Sequence, residues 1–295
     1  MESKNPMVSV IIPTYNNGHL IEQAIGSVMD QSYRNWEIIV VDNFSFDNTK
    51  SVLEKYATET NIHFFQINNN GVIAKSRNFG IGKSAGEYIA FLDSDDWWHS
   101  SKLQKSLEAL EGGADLVYHD LLEAESHSVS VLSKKVKTRK LKRPIFDDLL
   151  LNGNGIINSS VVVKKSILTT VGSISEDPKL IAWEDFEYWL RISQVTEKFT
   201  RIPSCLGYYW VGGGNVSNPQ RTLIILNEIQ RRYSIFFDEF ARRGFFPSWI
   251  HYGILSSLVE TGQLKIKDMF PFFKKMSFKH KVKITIKSML TALKI

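Results

Sequence analysis

Between Gly86 and Trp98 the chain reads GEYIAFLDSDDWW, a stretch that severely restricts what it can fold into. Tyr88 to Leu92 is a short apolar run that ends abruptly on Asp93, Ser94, Asp95 and Asp96. A run bounded in this way reads as a buried parallel strand whose carboxyl end points acids at solvent. Ligands of open α/β sheets sit outside that carboxyl end. Crowded carboxylates repel one another unless a cation neutralises them, and hard oxygen donors favour Mg²⁺, Mn²⁺ or Ca²⁺. The same residues also suit an acidic turn capping the next helix. Alone, the stretch leaves both readings open.

The chain around it alternates. Val8 to Pro13, Trp36 to Val41, Ile62 to Ile67 and Tyr88 to Leu92 read as buried strands, and Ala114 to Tyr118 as a further one. Helical spacing of apolar residues falls between them, at Leu20 to Asp30, around Val52 and Leu53, at Val72 to Lys83 and at Lys102 to Leu110. This alternation predicts a mainly parallel sheet with helices on both faces. Past Asp120 the rhythm breaks. Ser126 to Arg143 reads as a solvated, lysine-rich loop or hairpin. Ile156 to Val163 reads as a strand, Trp183 to Val195 as an amphipathic helix, Thr200 to Trp210 as extended, and Ile224 to Phe240 as one helix.

Composition sets wide bounds. With 295 residues, 43% hydrophobic and 23% charged, the chain has material for one large domain and an appendage, or for two modest ones. One cysteine, Cys205, excludes an internal disulfide and fits a reducing compartment. Met1 to Pro6 is polar, which predicts no signal peptide, and no apolar run is long enough to span a bilayer. The expected location is cytoplasmic. A net charge of +5 permits nucleic acid, anionic lipid or phosphorylated ligands without choosing among them.

Asp42 ends the second strand, Asp93 and Asp95 follow the fourth, and Thr14 and Tyr15 lie just beyond the first. In a parallel sheet these ends open on one edge. There Asp42 can accept hydrogen bonds from a nucleobase, or it can simply brace its own turn.

Four blocks now resemble the inverting glycosyltransferases of family 2, with the GT-A fold. They are VSVIIPTYN (Val8 to Asn16), IIVVDNFSFDNT (Ile38 to Thr49), GVIAKSRNFGIGKSAGEYIAFLDSDD (Gly71 to Asp96) and WEDFEYWLR (Trp183 to Arg191). The resemblance implies a Rossmann-like, mixed but mainly parallel sheet with flanking helices. It implies a glycosyltransferase domain over 1–217, with a nucleotide half to about 120 and an acceptor half beyond it, and a helical basic region over 218–295. Pro13, Thr14, Tyr15 and Asp42 would line the nucleotide pocket, and Arg77, Asn78, Asp93 and Ser94 would face the diphosphate or orient the acids. Asp95, with Asp93, would hold Mn²⁺ or Mg²⁺, and Asp185 would be the catalytic base. The implied donor is a nucleotide sugar, a UDP-sugar first. The implied acceptor is a glycan or lipid-linked glycan of bacterial surface polysaccharide synthesis.

Two positions depart from the family pattern. Asn43 stands where a second Asp is common, and Trp210 and Gly212 stand where relatives commonly have Arg and His. If that His helps relatives to hold the metal or diphosphate, this chain either binds its metal more weakly or uses Asn215 or Ser217 instead. Two other readings stay open, a nucleotidyltransferase and a noncatalytic sugar-nucleotide-binding scaffold. The former would place a basic, glycine-rich phosphate loop after the first strand, and Thr14 to Gly18 has no Lys or Arg. Finally, Leu264 to Ile295 holds nine lysines against one acid, with aromatic and aliphatic residues interleaved. That pattern fits either a segment lying on an anionic membrane or a packed helix with a solvated lysine face. No nucleic-acid reading motif accompanies the charge.

Overall fold

The structure, a computed structural model, describes residues 5–125, 134–213, 218–264 and 269–292. Asn215 and Ser217 lie outside these residues. By its contacts the chain divides into two compact units. One comprises Met1–Leu141, Gly155–Glu176 and Arg191–Asn215, and the other Lys142–Asn154, Asp177–Leu190 and Val216–Ile295. Two segments before residue 217 thus fold with the C-terminal helices.

The first unit is built on a mixed sheet. Strands β1 (Val8–Thr14), β2 (Trp36–Asp42), β3 (Ile62–Gln66) and β4 (Tyr88–Phe91) pair in parallel in the order β3-β2-β1-β4. β1 and β2 are buried along their whole length, which is why their β-branched runs show no alternation. Helices α1 (Ile21–Met29), α2 (Thr49–Glu54), α3 (Ile73–Lys83) and α4 (Lys102–Glu111) supply the crossovers. α3 lies close against β1 because residue 80 is glycine: a Cβ there would stand 2.7 Å from the Ile11 Cγ2.

Beyond β4 the sheet turns antiparallel. It continues β4-β8-β6-β9-β5, through β5 (Trp97–Trp98), β6 (Leu116–Ala124), β8 (Val162–Lys164) and β9 (Phe199–Trp210). β6 and β9 run parallel, and β7 (Lys135–Val136) pairs with β6 as a hairpin. Of the strand expected over Ile156 to Val163, only the end lies in β8, and Asn158–Ser160 form a 3-10 turn instead. The sequence also gave no sign of β5, a two-residue strand set by its partner β9 rather than by its own pattern.

The second unit is helical. It holds α5 (Ile145–Asn152), the first turns of α7 (Glu184–Val195), α8 (Pro219–Arg232), α9 (Ser234–Arg242), α10 (Ser248–Glu260) and α11 (Phe278–Ala292). The short helix α6 (Lys165–Val171) belongs to the first unit. The single helix expected over Ile224 to Phe240 is broken at Tyr233, which leaves the helical region (φ −109°, ψ 22°). The break lets the buried Tyr233 ring meet Phe146 at 5.8 Å and Phe236 at 6.4 Å. Tyr233→Ala is expected to destabilise this unit by roughly 3 kcal/mol, read as an earlier urea midpoint, whereas Tyr233→Phe retains most of the packing. Among the described residues, no helix is long and apolar enough to cross a membrane.

Candidate active site

The carboxyl ends of β1, β2 and β4 bring the expected residues of the first unit to one edge. Thr14 pairs with Asp42 in register, and the Leu92 N–H donates to the Ile11 carbonyl, so the Asp93–Asp96 loop leaves the sheet beside them. Pro13 and Thr14 are buried in β1, and Tyr15 is 53% exposed just past it. The Asn17 amide donates to the Ser94 Oγ at 2.9 Å, tying the β1 loop to the acid loop.

Asp42 is buried and already engaged. Its carboxylate accepts from the Ser45 N–H and Oγ, at 3.2 and 2.5 Å, and from the Gln66 Nε2 at 2.9 Å. It therefore braces the β2–α2 loop, as an Asx turn does, and that loop presents two aromatic rings the sequence reading passed over. Phe44 and Phe46 are 57% and 82% exposed, and Phe46 meets Tyr15 edge to face at 6.1 Å. Their signal was available: aromatic residues in a polar loop have no core to fill. Asn43 accepts from the Asn69 N–H at 2.9 Å, linking the loops after β2 and β3 through an oxygen that an aspartate would equally provide.

The β1 loop offers no phosphate cradle. The N–H groups of Asn16, Asn17 and Gly18 donate to Ser45 Oγ, Thr49 Oγ1 and Asp47 Oδ2.

The acid loop is held from several sides. Asp93 Oδ1 accepts from Arg77 Nη2 at 2.7 Å and from Asn158 Nδ2 at 3.0 Å, while its N–H donates to Ser159 Oγ. Arg77 is 4% exposed, whereas the Asp93 side chain is 29% exposed, so the pair is buried on the arginine side and open on the acid side. Asn158 and Ser159 were not anticipated, since they come from the 3-10 turn that sequence periodicity misread as strand. Asn78, one residue from Arg77, does not join the cluster. Its amide donates to the Ile174 carbonyl and to Glu176, and accepts from the Ile174 N–H. Successive helical residues face different ways, so only one of the two reaches the acids.

The electrostatics of the loop are unbalanced. Burial and then the Asp93 charge push the Asp95 carboxyl up to about 6, against the opposing pull of Arg77. Burial, then Asp95 and Asp93, hold Asp96 well above the usual carboxylate range. Asp96 Oδ1 accepts from the Trp210 N–H at 2.9 Å, and its Oδ2 is buried. Asp93 and Asp95 thus share one guanidinium with Asp96 crowded beside them, and added positive charge would relieve the group. No described group of three His, Cys, Asp or Glu side chains could by itself hold a metal ion. Two carboxylates are still a fitting donor set for Mg²⁺ or Mn²⁺, which commonly keep waters and take their remaining ligands from substrate phosphates.

Trp210 and Gly212 form one device. A Cβ on residue 212 would lie 2.2 Å from the Trp210 indole, so the ring occupies the space a side chain at 212 would need. The two departures from the family pattern thus depend on each other.

In the second unit, Asp185 stands in the first turn of α7 with Glu184 and Glu187. Its Oδ1 accepts from the Phe186 N–H at 2.6 Å. Ala182, just upstream, has φ +79°, a strained value for a residue with a Cβ. The neighbouring aromatics are fixed by Trp249 of α10. That indole stacks on Trp183 at 5.8 Å, meets Phe186 edge to face at 5.6 Å, and donates to the Leu150 carbonyl of α5. An ionic cluster braces the same region. Arg232 bonds Asp177 and Glu228, and Arg231 with Arg232 holds Glu228 down to about 2. α5 and the α9–α10 loop also enclose a cleft of about 450 Å³, lined by Arg143, Asp147, Leu151, Asn152, Phe240 and Phe246 among others.

A mixed sheet opening with four parallel strands, with an acid loop at their carboxyl edge, is the architecture of the GT-A transferase folds. The family model described as glycosyl transferase family 2 matches residues 9–169, and the chain belongs to that family. It is 43% identical over 109 residues to the putative teichuronic acid biosynthesis glycosyltransferase TuaG of Bacillus subtilis, covering 37% of this chain and 43% of that protein. It is 31% identical over 222 residues to the amylovoran biosynthesis glycosyltransferase AmsB of Erwinia amylovora, covering 70% of each. The chain therefore spans less than half of the first relative's length. Two solved structures share the fold. Staphylococcus aureus TarS 1–349 in complex with UDP superposes with a TM-score of 0.56 at 17% identity, covering 97% of this chain and 90% of that one. The mannosyltransferase PcManGT from Pyrobaculum calidifontis, in complex with GDP-Man and Mn²⁺, gives 0.59 at 15% identity, covering 99% and 87%.

Proposed function

We propose that this protein is a metal-dependent inverting glycosyltransferase. It would move one sugar from a nucleoside-diphosphate sugar, a UDP-sugar first, to a hydroxyl of a glycan or lipid-linked glycan in surface-polysaccharide synthesis. The observation that carries the reading is the acid loop, where Asp93, Asp95 and Asp96 crowd together with Arg77 bonded to Asp93, beside Thr14 and Asp42 on one sheet edge. The names of TuaG and AmsB support a polysaccharide product, and the UDP and GDP-Man complexes support a nucleotide-sugar donor.

In this reading the base rests against the loop that Asp42 braces, with Tyr15, Phe44 and Phe46 offering aromatic faces to it. Pro13 and Thr14 form the floor, and Ser94 stands at the start of the acid loop. Arg77 and Asn158 position Asp93, and Asp93 with Asp95 would hold the cation. When bound, that cation would neutralise the diphosphate leaving group as a Lewis acid. Asp185 would take the proton from the acceptor hydroxyl as its oxygen forms the new glycosidic bond. The anomeric carbon–phosphate oxygen bond breaks with its electron pair leaving on the nucleoside diphosphate. Attack from the opposite face inverts the centre in one step, so no enzyme nucleophile is needed. The aromatic and polar lining of the cleft beside α5 suits sugar rings and their hydroxyls, and Trp249 connects α5 to the residues flanking Asp185. Acceptor recognition would lie there.

The nucleotidyltransferase reading loses ground because the β1 loop has no cation and its amides are already bonded. A thermal-shift screen of the full chain against UDP, GDP and TDP, each with Mn²⁺, Mg²⁺ or EDTA, tests the proposal. A ligand at a hundredfold excess over its Kd stabilises by about 2.7 kcal/mol. The expected result is a shift with UDP that EDTA abolishes. No shift with any nucleotide in the presence of metal would overturn the nucleotide-sugar donor.

A further inference from the structure

Helix α11 is packed the wrong way round for a helix that merely shields the core with a lysine face. Its inner side is settled: Ile284 is fully buried in a cluster with Leu255, Val259, Met269 and Met276, and Ser288 is buried. His280 stacks on Tyr252 at 5.0 Å, and Lys287 pairs with Glu260 and Ser256. The outward side carries Phe278, Lys279, Val282, Lys283 and Ile286. Phe278, Val282 and Ile286 are 81%, 41% and 52% exposed. At i, i+4 and i+8 they form one apolar stripe about 12 Å long. Exposed Lys274 and Lys275 precede it, and Lys279 and Lys283 flank it.

Exposed aliphatic and aromatic side chains cost free energy in water, and here they recur at helical spacing rather than singly. The surrounding charge has one sign: Phe270 to Ala292 contains six lysines and no Asp or Glu. Each candidate partner meets that combination differently. A second copy would bring lysines against lysines. Nucleic-acid phosphates would satisfy the lysines and leave Val282 and Ile286 in water. An anionic bilayer surface accepts both, headgroups taking the ammonium groups and the acyl boundary taking the stripe.

We propose that the outward face of α11, with Phe278, Val282 and Ile286 as its apolar line and Lys275, Lys279 and Lys283 beside it, docks this protein on an anionic lipid bilayer surface. The placement suits the acceptor cleft suggested above. Ser248, two residues past Phe246 of the cleft wall, accepts from the Ser277 N–H and bonds His280 Nδ1, so cleft and helix start share one end of the unit. Docking itself does not depend on that assignment.

Flotation of the full chain with vesicles tests it without any activity readout. Vesicles of phosphatidylcholine alone and of phosphatidylcholine with phosphatidylglycerol are compared at low and high salt. Binding is expected only to the anionic vesicles and is expected to weaken with salt. The triple variant Phe278→Ser, Val282→Ser, Ile286→Ser should lose at least tenfold in affinity, as should Lys275→Glu, Lys279→Glu, Lys283→Glu. All six positions face outward or flank that face, so circular dichroism and the melting temperature should stay at wild-type values and show the fold intact. Equal partition to both vesicle types, no binding to either, or wild-type binding by the folded triple-serine variant would each overturn the proposal. So would duplex DNA displacing the protein from vesicles with the triple-serine variant still binding the DNA. A dimer seen by light scattering without lipid, and lost in the triple-serine variant, would reassign the face to a second copy.

Discussion

Asp185→Asn is expected to lower kcat for sugar transfer by about 10² to 10⁴-fold, the usual worth of a positioned general base. Donor affinity, read from the nucleotide-dependent thermal shift, should change by less than about twofold, because a base on the acceptor hydroxyl contributes in the transition state rather than to donor binding. The competing account makes Asp185 a helix-terminus charge, worth about 0.3–1 kcal/mol of stability. Glu184 and Glu187 occupy the same first turn, and the charge of Glu187 faces Arg232 at 3.9 Å. Asparagine at 185 therefore leaves most of that dipole complement in place, and melting should hardly move. Retained transfer would remove Asp185 from the reaction. Loss of donor binding together with transfer would make its part structural.

Asp95→Asn should have the next largest effect, a fall in transfer of roughly a thousandfold, corresponding to several kcal/mol of lost charge stabilisation at the diphosphate. Donor-dependent stabilisation should lose its sensitivity to EDTA at the same time. The variant also carries a pH signature with a definite sign. The folded pKa of Asp95 is raised to about 6 from 3.8, first by burial and then by Asp93. Between those values the folded protein keeps a proton that the unfolded chain has released. This group therefore favours the folded state increasingly as pH falls from 7 through 6 towards 4. Removing the carboxyl removes that slope, so metal-free Asp95→Asn should be more stable than wild type at pH 7 and lose the advantage near pH 4. Measuring the difference between the two proteins cancels groups of opposite behaviour. Glu228, for instance, is held down to about 2 by Arg231 and Arg232, and its contribution is lost only as pH falls below its ordinary value. A difference that does not vary with pH would show that Asp95 is not the crowded group the acid loop makes it.

Much of this protein was legible before any coordinates. The runs at Val8, Trp36 and Tyr88 are apolar apart from Ser9 and Glu37 and stop on polar residues. Burial on both faces of a parallel sheet is the simplest arrangement that satisfies them, and β1, β2 and β4 form it. The carboxyl-edge grouping of Thr14, Asp42 and Asp93 follows at once, since parallel strands end together. Local pattern failed where partners decide. Trp97 and Trp98 became a strand through β9, Asn158 and Ser159 became supports of Asp93 through a 3-10 turn, and the helix expected over Ile224 to Phe240 broke so that Tyr233 could reach Phe146. Residue type could not separate Arg77 from Asn78 either, because a rotation of about 100° along α3 sends one to Asp93 and the other to Ile174.

The sequence by itself determined the order of strands and helices in the first half, the clustering of its acids and the sign of charge along the last helix. These depend on neighbours a few residues apart, whose periodicity and composition are local properties. Tertiary structure alone decided which carboxylate is paired and which is crowded. It decided that the Trp210 ring fills the place of a side chain at 212, and that α11 turns Phe278, Val282 and Ile286 outward. Each of these is a choice between two faces of one element, and only the packing of the opposite face makes that choice.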